Sequence, residues 1–233
     1  MEFIQVTLSL LEGFGITCLL FILTLILSLP LGLLISFCTM SKFKPLKAVS
    51  KVIVWIVRGI PLMLQLFMFY YLPGILSSSS AISFWGEIDN YFYFNWGINN
   101  MGAFIASLIA FVINYACYFS EIFRGGIESI SKGQYEAGKV LGMTKNQIFR
   151  KIVLMQVVKR ILAPTSNEVI TLVKDTALAR VIGVIDIIRK AELLTAKQLI
   201  WPIFYSGVFY LLFVGLLTII FGRLEKKLSY YKV

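Results

Sequence analysis

Five side chains between positions 167 and 175 have the types and spacing to meet a charged solute. Glu168, Thr171 and Asp175 recur at i, i+3 and i+7, and Asn167, Thr171 and Lys174 at i, i+4 and i+7. On a helix these two sets form adjoining polar stripes. They stand in a run from about Ile161 to Val184 that is otherwise largely apolar. If that run crosses a bilayer, an Asp or Lys at its middle costs about 2.5–3.5 kcal/mol, so such residues face a partner or a watery cavity. Two uses are compatible with the pattern. Glu168 beside an ammonium group, with Asn167 or Thr171 offering hydrogen bonds, would make a translocation site for a zwitterion. Lys174 and Asp175 would instead pair with other protein charges near the external end, as a clamp or gate. Asn114, Tyr115 and Tyr118, in another apolar run, could line the same cavity or simply hydrogen-bond between helices.

A second constellation lies in the passage QYEAGKVLGMTKNQIFRKIVLM, residues 134–155. Ser131 and Gln134 have capping-box spacing and predict a helix from Lys132, which Gly142 would end about ten residues later. Thr144 and Gln147 repeat the box and predict a second helix through Ile148, Phe149, Ile152 and Val153. In the first helix Ala137 and Gly138 are small enough for close approach, and Glu136 supplies one acidic handle. Composition alone favours an amphipathic loop lying on lipid headgroups, since surface helices are common and docking helices rare.

Enzymatic chemistry has little support. The chain has no histidine, and Cys18, Cys38 and Cys117 form no C-x-x-C pair, so neither a catalytic residue nor a metal site is expected. A G-x-x-x-x-G-K-[ST] phosphate loop and a nucleophile elbow are both missing from the sequence, so ATP hydrolysis by this chain through a P-loop is excluded.

The elements that must position these residues are membrane helices. Of 233 residues 58% are hydrophobic and 15% charged, with a mean hydropathy of +0.84; soluble domains carry about a quarter charged residues. Five apolar runs approach the roughly 20 residues a crossing needs: Ile16–Phe37, Val52–Leu72, Met101–Phe119, Ile161–Val184 and Ile200–Phe221. The expected fold is a single all-α integral membrane domain over 1–233, with five transmembrane helices and a cytosolic loop of about 125–158. The first run lacks a basic flank and a cleavage site, so it is expected to remain as a span rather than act as a signal peptide.

Lysine and arginine follow the first, third and fifth runs, from Lys42, Arg124 and Arg223 onward to Lys232. Pro73–Asn100, by contrast, holds Glu87 and Asp89 and no base. This predicts an external N-terminus and a cytosolic C-terminus. The net charge of +10 then needs no nucleic acid, since topology and anionic lipid account for it. Pro61 reads as a helix start, Gln65 as a packing hydrogen bond, Glu121 with Arg124 as an i, i+3 ion pair, and Trp85 to Trp96 as an interfacial aromatic belt. Gly13 and Gly15 would ease packing at the first helix end.

The order Glu136-Ala137-Gly138, Gly142, Ile152-x-Leu154 resembles the EAA loop of bacterial ABC importer permeases, E-A-A, three residues, G, nine residues, I-x-L-P. It departs at Gly138, where the family prefers Ala, and at Met155, where it prefers Pro; the latter leaves the next helix less rigidly kinked. The segments RGIPLMLQ from Arg58, YFSEIFRGGI from Tyr118, Asn167-Glu168 and KDTALA from Lys174 resemble motifs of the polar amino acid branch, the histidine/glutamine/arginine/cystine-type permeases, in order and at family spacing.

The resemblance, from about Leu11 to Leu224, implies the type I importer permease fold in a bacterial inner membrane. It further implies a subunit pairing with a second permease copy or paralogue and bound to two ATPase subunits, which would use ATP and Mg while this chain binds no cofactor. Substrate would come from an extracellular or periplasmic binding protein. Glu136, Ala137, Gly138 and Gly142 would couple to the ATPase, and alternating access would move a polar amino acid past the 167–175 stripes. Another small solute such as methionine or an opine, a secondary transporter, or a receptor scaffold are the alternative readings. Five runs without an evident repeat count against the secondary transporter, and polar residues inside the fourth run count against the scaffold.

Overall fold

The computed structural model describes residues 3–77, 80–96, 100–196 and 198–228; Glu2, Lys232 and the Trp96 side chain lie outside that description. Among the described residues every regular element is helical. They comprise α1 (Phe3–Met40), α2 (Lys44–Gly59), α3 (Leu62–Leu76), α4 (Ala81–Trp96), α5 (Met101–Glu128), α6 (Lys132–Val140), α7 (Lys145–Ile148), α8 (Leu154–Asp175), α9 (Ile187–Thr195) and α10 (Trp201–Leu228). A π-turn at Phe149–Val153 joins α7 to α8, and a 3₁₀ segment, Thr176–Ile182, follows α8.

Three helices, α1, α5 and α10, are each long and apolar enough to cross a membrane, and the bent pair α2/α3 makes a fourth candidate. The second run, Val52–Leu72, is a broken element in which α2 and α3 meet at 105°, and Pro61 stands at the start of α3, as its reading as a helix start expects. The cause is local. Ile60 precedes Pro61 and is extended (φ −93°, ψ 130°), as the proline ring requires. Gln65 Nε2 donates to the carbonyls of Val57 at 2.7 Å and Ile60 at 2.8 Å, so backbone freed by the break is satisfied within the protein. The run over Ile161–Val184 is likewise not one helix. α8 ends at Asp175 and the chain tightens to 3₁₀ geometry before turning at Gly183 (φ 98°). α8 also carries Lys159, Arg160, Glu168, Lys174 and Asp175, and the apolar criterion met by the other spans does not select it.

Contacts set the helix directions. Phe3, Phe14 and Phe21 of α1 meet Trp201, Phe209 and Phe213 of α10, with ring centroids 5.5, 5.4 and 5.1 Å apart, so α1 and α10 are parallel. α1 also runs parallel to α5, with Leu19 near Met101 and Gly32 beside Ala116. α8 is antiparallel to α5, since Gly126 meets Ile161 and Tyr115 meets Asp175. The largest core cluster sits where α1, α3, α5 and α8 converge, around Leu20, Leu66, Phe111, Phe119 and Leu172.

Small residues allow these approaches. A Cβ on Gly13 would stand 2.8 Å from the Ile187 Cα, which lets α9 lie across the start of α1. Gly15, by contrast, has open space around it. Asp186 opens α9, accepting from the Arg189 amide at 2.8 Å. Burial pushes its carboxyl up to about 6, against the lowering effect of that amide and of Arg180. Trp85 packs on Gly102 and donates to the Tyr70 carbonyl at 2.8 Å, so this part of the expected aromatic belt is a buried brace.

At Gly32 a Cβ would lie 2.9 Å from both the Ala116 carbonyl oxygen and the Phe119 Cβ. Gly32→Ala is therefore expected to cost about 1–3 kcal/mol through overpacking. Gly15→Ala, which meets open space inside α1, should cost nothing and gain up to about 1 kcal/mol of helix propensity, and thermal unfolding of the detergent-purified chains measures the difference.

Candidate functional site: a charged cavity and a capped helical corner

Where α2 breaks into α3, a cavity of about 460 Å³ opens against α5 and α8. Arg58 and Pro61 border it on one side, Asn114, Tyr115 and Tyr118 of α5 on the second, and Thr171 and Asp175 of α8 on the third. The α2/α3 break thus places a guanidinium at the wall of a membrane protein cavity. Arg58 lies 4.9 Å from the centre of the Tyr118 ring and 3.8 Å from a Glu121 carboxylate oxygen. The expected Glu121–Arg124 pair forms at 2.6 Å, and Arg124 continues to Glu128 at 2.7 Å. Arg58 therefore begins a chain of alternating charge running down the end of α5.

Across the cavity, the Tyr115 hydroxyl donates to Asp175 Oδ2 at 2.7 Å. Thr171 donates to the Asn167 carbonyl at 2.9 Å, which leaves its oxygen lone pairs for another donor. Of the residues expected along a solute path, Asn114, Tyr118, Thr171 and Asp175 are brought together around this space. Asn167, Glu168 and Lys174 are not among its lining residues, and Asn167 and Lys174 are exposed on the outside of α8. Among the described residues the partner found for Asp175 is a tyrosine hydroxyl rather than the charge expected for a clamp.

The cavity has a cation at one wall, a carboxylate at another, and an amide and hydroxyls between. It offers complementary contacts to both ends of a small zwitterion. Tyr115 lines the cavity beside Asn114 and Tyr118, as the pattern allowed, whereas Arg58 and the bond from Tyr115 to Asp175 were not singled out. Arg58 was visible only as the first residue of the RGIPLMLQ segment, and the Tyr115 partner is 60 residues away.

The second site is the corner after α5. α6 begins at Lys132 as expected, but the first capping box does not form: Ser131 makes no side-chain cap bond. The Gln134 side-chain oxygen instead accepts from Gln156 Nε2 at 3.3 Å, which ties α6 to α8. The second box does form, with the Gln147 amide donating to Thr144 Oγ1 at 3.3 Å and the Thr144 amide to Gln147 Oε1 at 2.9 Å. Between them Gly142 (φ 71°) donates to the Lys139 carbonyl at 2.9 Å and Met143 to the Gly138 carbonyl at 3.0 Å. These two bonds close a left-handed helix end that favours glycine.

Gly138 is buried because Ile148 packs on it, so the close neighbour of this small residue is a side chain within the corner. Glu136 and Ala137 face outward. Beside them Val140 and Leu141 are 88% and 76% exposed, an apolar tip that the pattern of capping boxes did not single out. Ile130, Ile148, Val153 and Val157 form a small separate core beneath it. From Lys145 the chain is helical without interruption through Met155 to Asp175, with a π-turn at Phe149–Val153 and Pro164 inside α8.

Apolar helices gathered around a charged cavity, with a braced helical corner projecting at one end, define a membrane translocation subunit. Residues 28–230 match the family described as binding-protein-dependent transport system inner membrane component, and the chain belongs to that family. It is 34% identical over 222 residues to the arginine transport system permease protein ArtQ of Bacillus subtilis (strain 168), covering 94% of this chain and 92% of that protein. It is also 34% identical to the L-cystine transport system permease protein TcyB of the same organism, over 90% of this chain and 82% of that one. A crystal structure of an amino acid ABC transporter with histidines superposes with a TM-score of 0.78 at 27% identity, covering 97% of this chain and 99% of that chain. An inward-facing structure of the MetNI methionine ABC transporter shares the fold at a TM-score of 0.63 and 17% identity, covering 98% and 99% of the two chains.

A Cβ on Gly138 would lie 2.6 Å from Ile148 Cγ1. Gly138→Ala is expected to loosen the corner and speed hydrogen exchange across 132–148 at least tenfold. Adding Ile148→Ala should recover part of that protection relative to Ile148→Ala alone, as read by a double-mutant cycle.

Proposed function

We propose that this chain is the translocation subunit of an ATP-driven importer of polar amino acids, admitting substrate to the cavity between Arg58 and Asp175. The family supports a transport component of the inner membrane rather than an enzyme, and relatives named for arginine and cystine support an amino acid cargo. The single observation that carries the reading is that one helix pair joins both sites. α5 and α8 border the cavity, and the corner with its exposed Val140–Leu141 tip connects their ends.

In this reading α1, α5 and α10 cross from outside to inside, α3 and α8 return, and the corner lies in the cytosol. Their relative directions and the bases beyond α1, α5 and α10 support this topology. The exposed face of α6, with Glu136, Ala137 and the apolar tip, seats in a groove of an ATPase subunit. Gly142 holds the turn behind it. A second permease copy or paralogue completes the pathway, two ATPase subunits use ATP and Mg, and a binding protein delivers substrate. Nucleotide-driven closure of the ATPases biases the cavity between inward and outward states because α6 binds those states differently. In the cavity the substrate carboxylate pairs with Arg58 and its ammonium group with Asp175.

Two variants reconstituted with the ATPase and binding protein test the two halves separately. Asp175→Asn is expected to lower amino acid uptake about tenfold, equivalent to about 1.4 kcal/mol, while Lys174→Gln leaves it near the parent value; equal losses would remove Asp175 from the path. Gly142→Asp should retain basal ATP hydrolysis and lose its stimulation by loaded binding protein, and retained stimulation with retained uptake would contradict the coupling role.

A further inference from the structure

We propose that α2 is a membrane-surface helix that docks the permease on anionic phospholipid headgroups at the end of the bundle carrying the coupling corner. The proposal rests on the reading that α3 crosses the bilayer. Given that crossing, the 105° bend lays α2 close to the plane of the membrane surface. Its 16 residues span about 24 Å.

The two sides of α2 are chemically opposed. Lys44, Lys47 and Lys51 recur at i, i+3 and i+7, whereas Val49, Val52, Ile53 and Ile56 recur at i, i+3, i+4 and i+7 on the other side. Both sides are unoccupied by the rest of the chain. The three lysines are exposed, and the four apolar residues are 58%, 53%, 51% and 44% exposed. Val54 alone is buried, and it marks the narrow edge by which the helix rests on the bundle. Trp55, 75% exposed, adjoins the lysine side at the boundary between the two, where an indole has its apolar face in acyl chains and its N–H among headgroups.

Charge selects the occupant. From Gly13 to Gly86 the sequence has no Asp or Glu, while Lys42, Lys44, Lys47, Lys51 and Arg58 all fall within it. Arg58 is engaged by Glu121, and Lys51 lies within electrostatic reach of the same carboxylate. Lys44 and Lys47 are left facing outward, so an anionic leaflet satisfies the basic side while its acyl chains take the valines and isoleucines. A second copy of the chain on the apolar side would cover Val49–Ile56 and leave the lysines without a counter-charge. Because Arg58 stands in the last turn of α2, and α2 is tied through Gln65 to the start of α3, headgroup binding also holds one wall of the cavity.

Quenching of Trp55 reads the contact without requiring transport. The assembled complex is placed in phosphatidylcholine nanodiscs in which one-tenth of the lipid carries bromine near the top of the acyl chain. The brominated lipid is either phosphatidylcholine or phosphatidylglycerol, and the Trp55 signal is the difference between the parent and Trp55→Phe proteins. The expected result is quenching by both lipids, with phosphatidylglycerol at least threefold more effective, and the preference lost in Lys44→Gln/Lys47→Gln. Equal quenching by the two lipids in the parent protein would overturn anionic docking. Absence of quenching by either would overturn it in favour of a second copy covering α2. Both outcomes are independent of whether the complex imports amino acids.

Discussion

The antiparallel pairing of α5 with α8 is the constraint on which the other features depend. It is fastened at one end by the Tyr115 hydroxyl on Asp175 at 2.7 Å and at the other by Gly126, whose missing side chain leaves room for Ile161. A Cβ at Gly126 would lie 2.2 Å from Ile161 Cγ2, so the approach there leaves no room for a side chain. The first contact borders the cavity, and the second lies next to the corner. In the proposed mechanism a displacement of the corner would reach the cavity through these packed helices, since packed helices shift between discrete arrangements rather than deform continuously.

The remaining elements complete this pair. α1 runs parallel to α5, brought close by Gly32, and α9 crosses the start of α1 at Gly13. The broken α2/α3 element closes the cavity and brings Arg58 to it; a straight helix would have left that guanidinium in the line of a membrane span, where an unpaired charge is costly. Gln65 makes the break tolerable by taking up two freed carbonyls.

The parts legible from sequence were those governed by neighbours in the chain. Apolar runs located α1, α5 and α10, and the helix starts at Lys132 and Lys145 followed from Ser131 and Thr144. Gly142 marked the end of α6 because a left-handed residue was needed there. Hydropathy summed across Pro61 and saw one apolar run, while Pro61, read as a helix start, marked where α3 begins. The Ser131 box did not form, and the Gln134 side chain is bonded instead to Gln156, 22 residues further on, a contact that no local pattern carries. The same holds for the solute path. Helical periodicity put Asn167, Glu168, Thr171, Lys174 and Asp175 on adjoining stripes, but which of them face a cavity depends on how α8 is rotated against α5. That rotation is fixed by contacts such as Gly126 with Ile161, 35 positions apart in the numbering.

The account requires the cavity and the corner to move as one mechanical unit. Its most direct test is the labelling rate of a single cysteine, Thr171→Cys, in a background with Cys18, Cys38 and Cys117 replaced by alanine. The chain is assembled with its ATPase and probed with a small thiol reagent added from the cytosolic side. Trapping the ATPase with a non-hydrolysable nucleotide should slow labelling at least tenfold, and Gly142→Asp should abolish that dependence. A rate that is the same with and without nucleotide in an assembled, ATPase-active complex would contradict the claim that the corner controls access to the cavity.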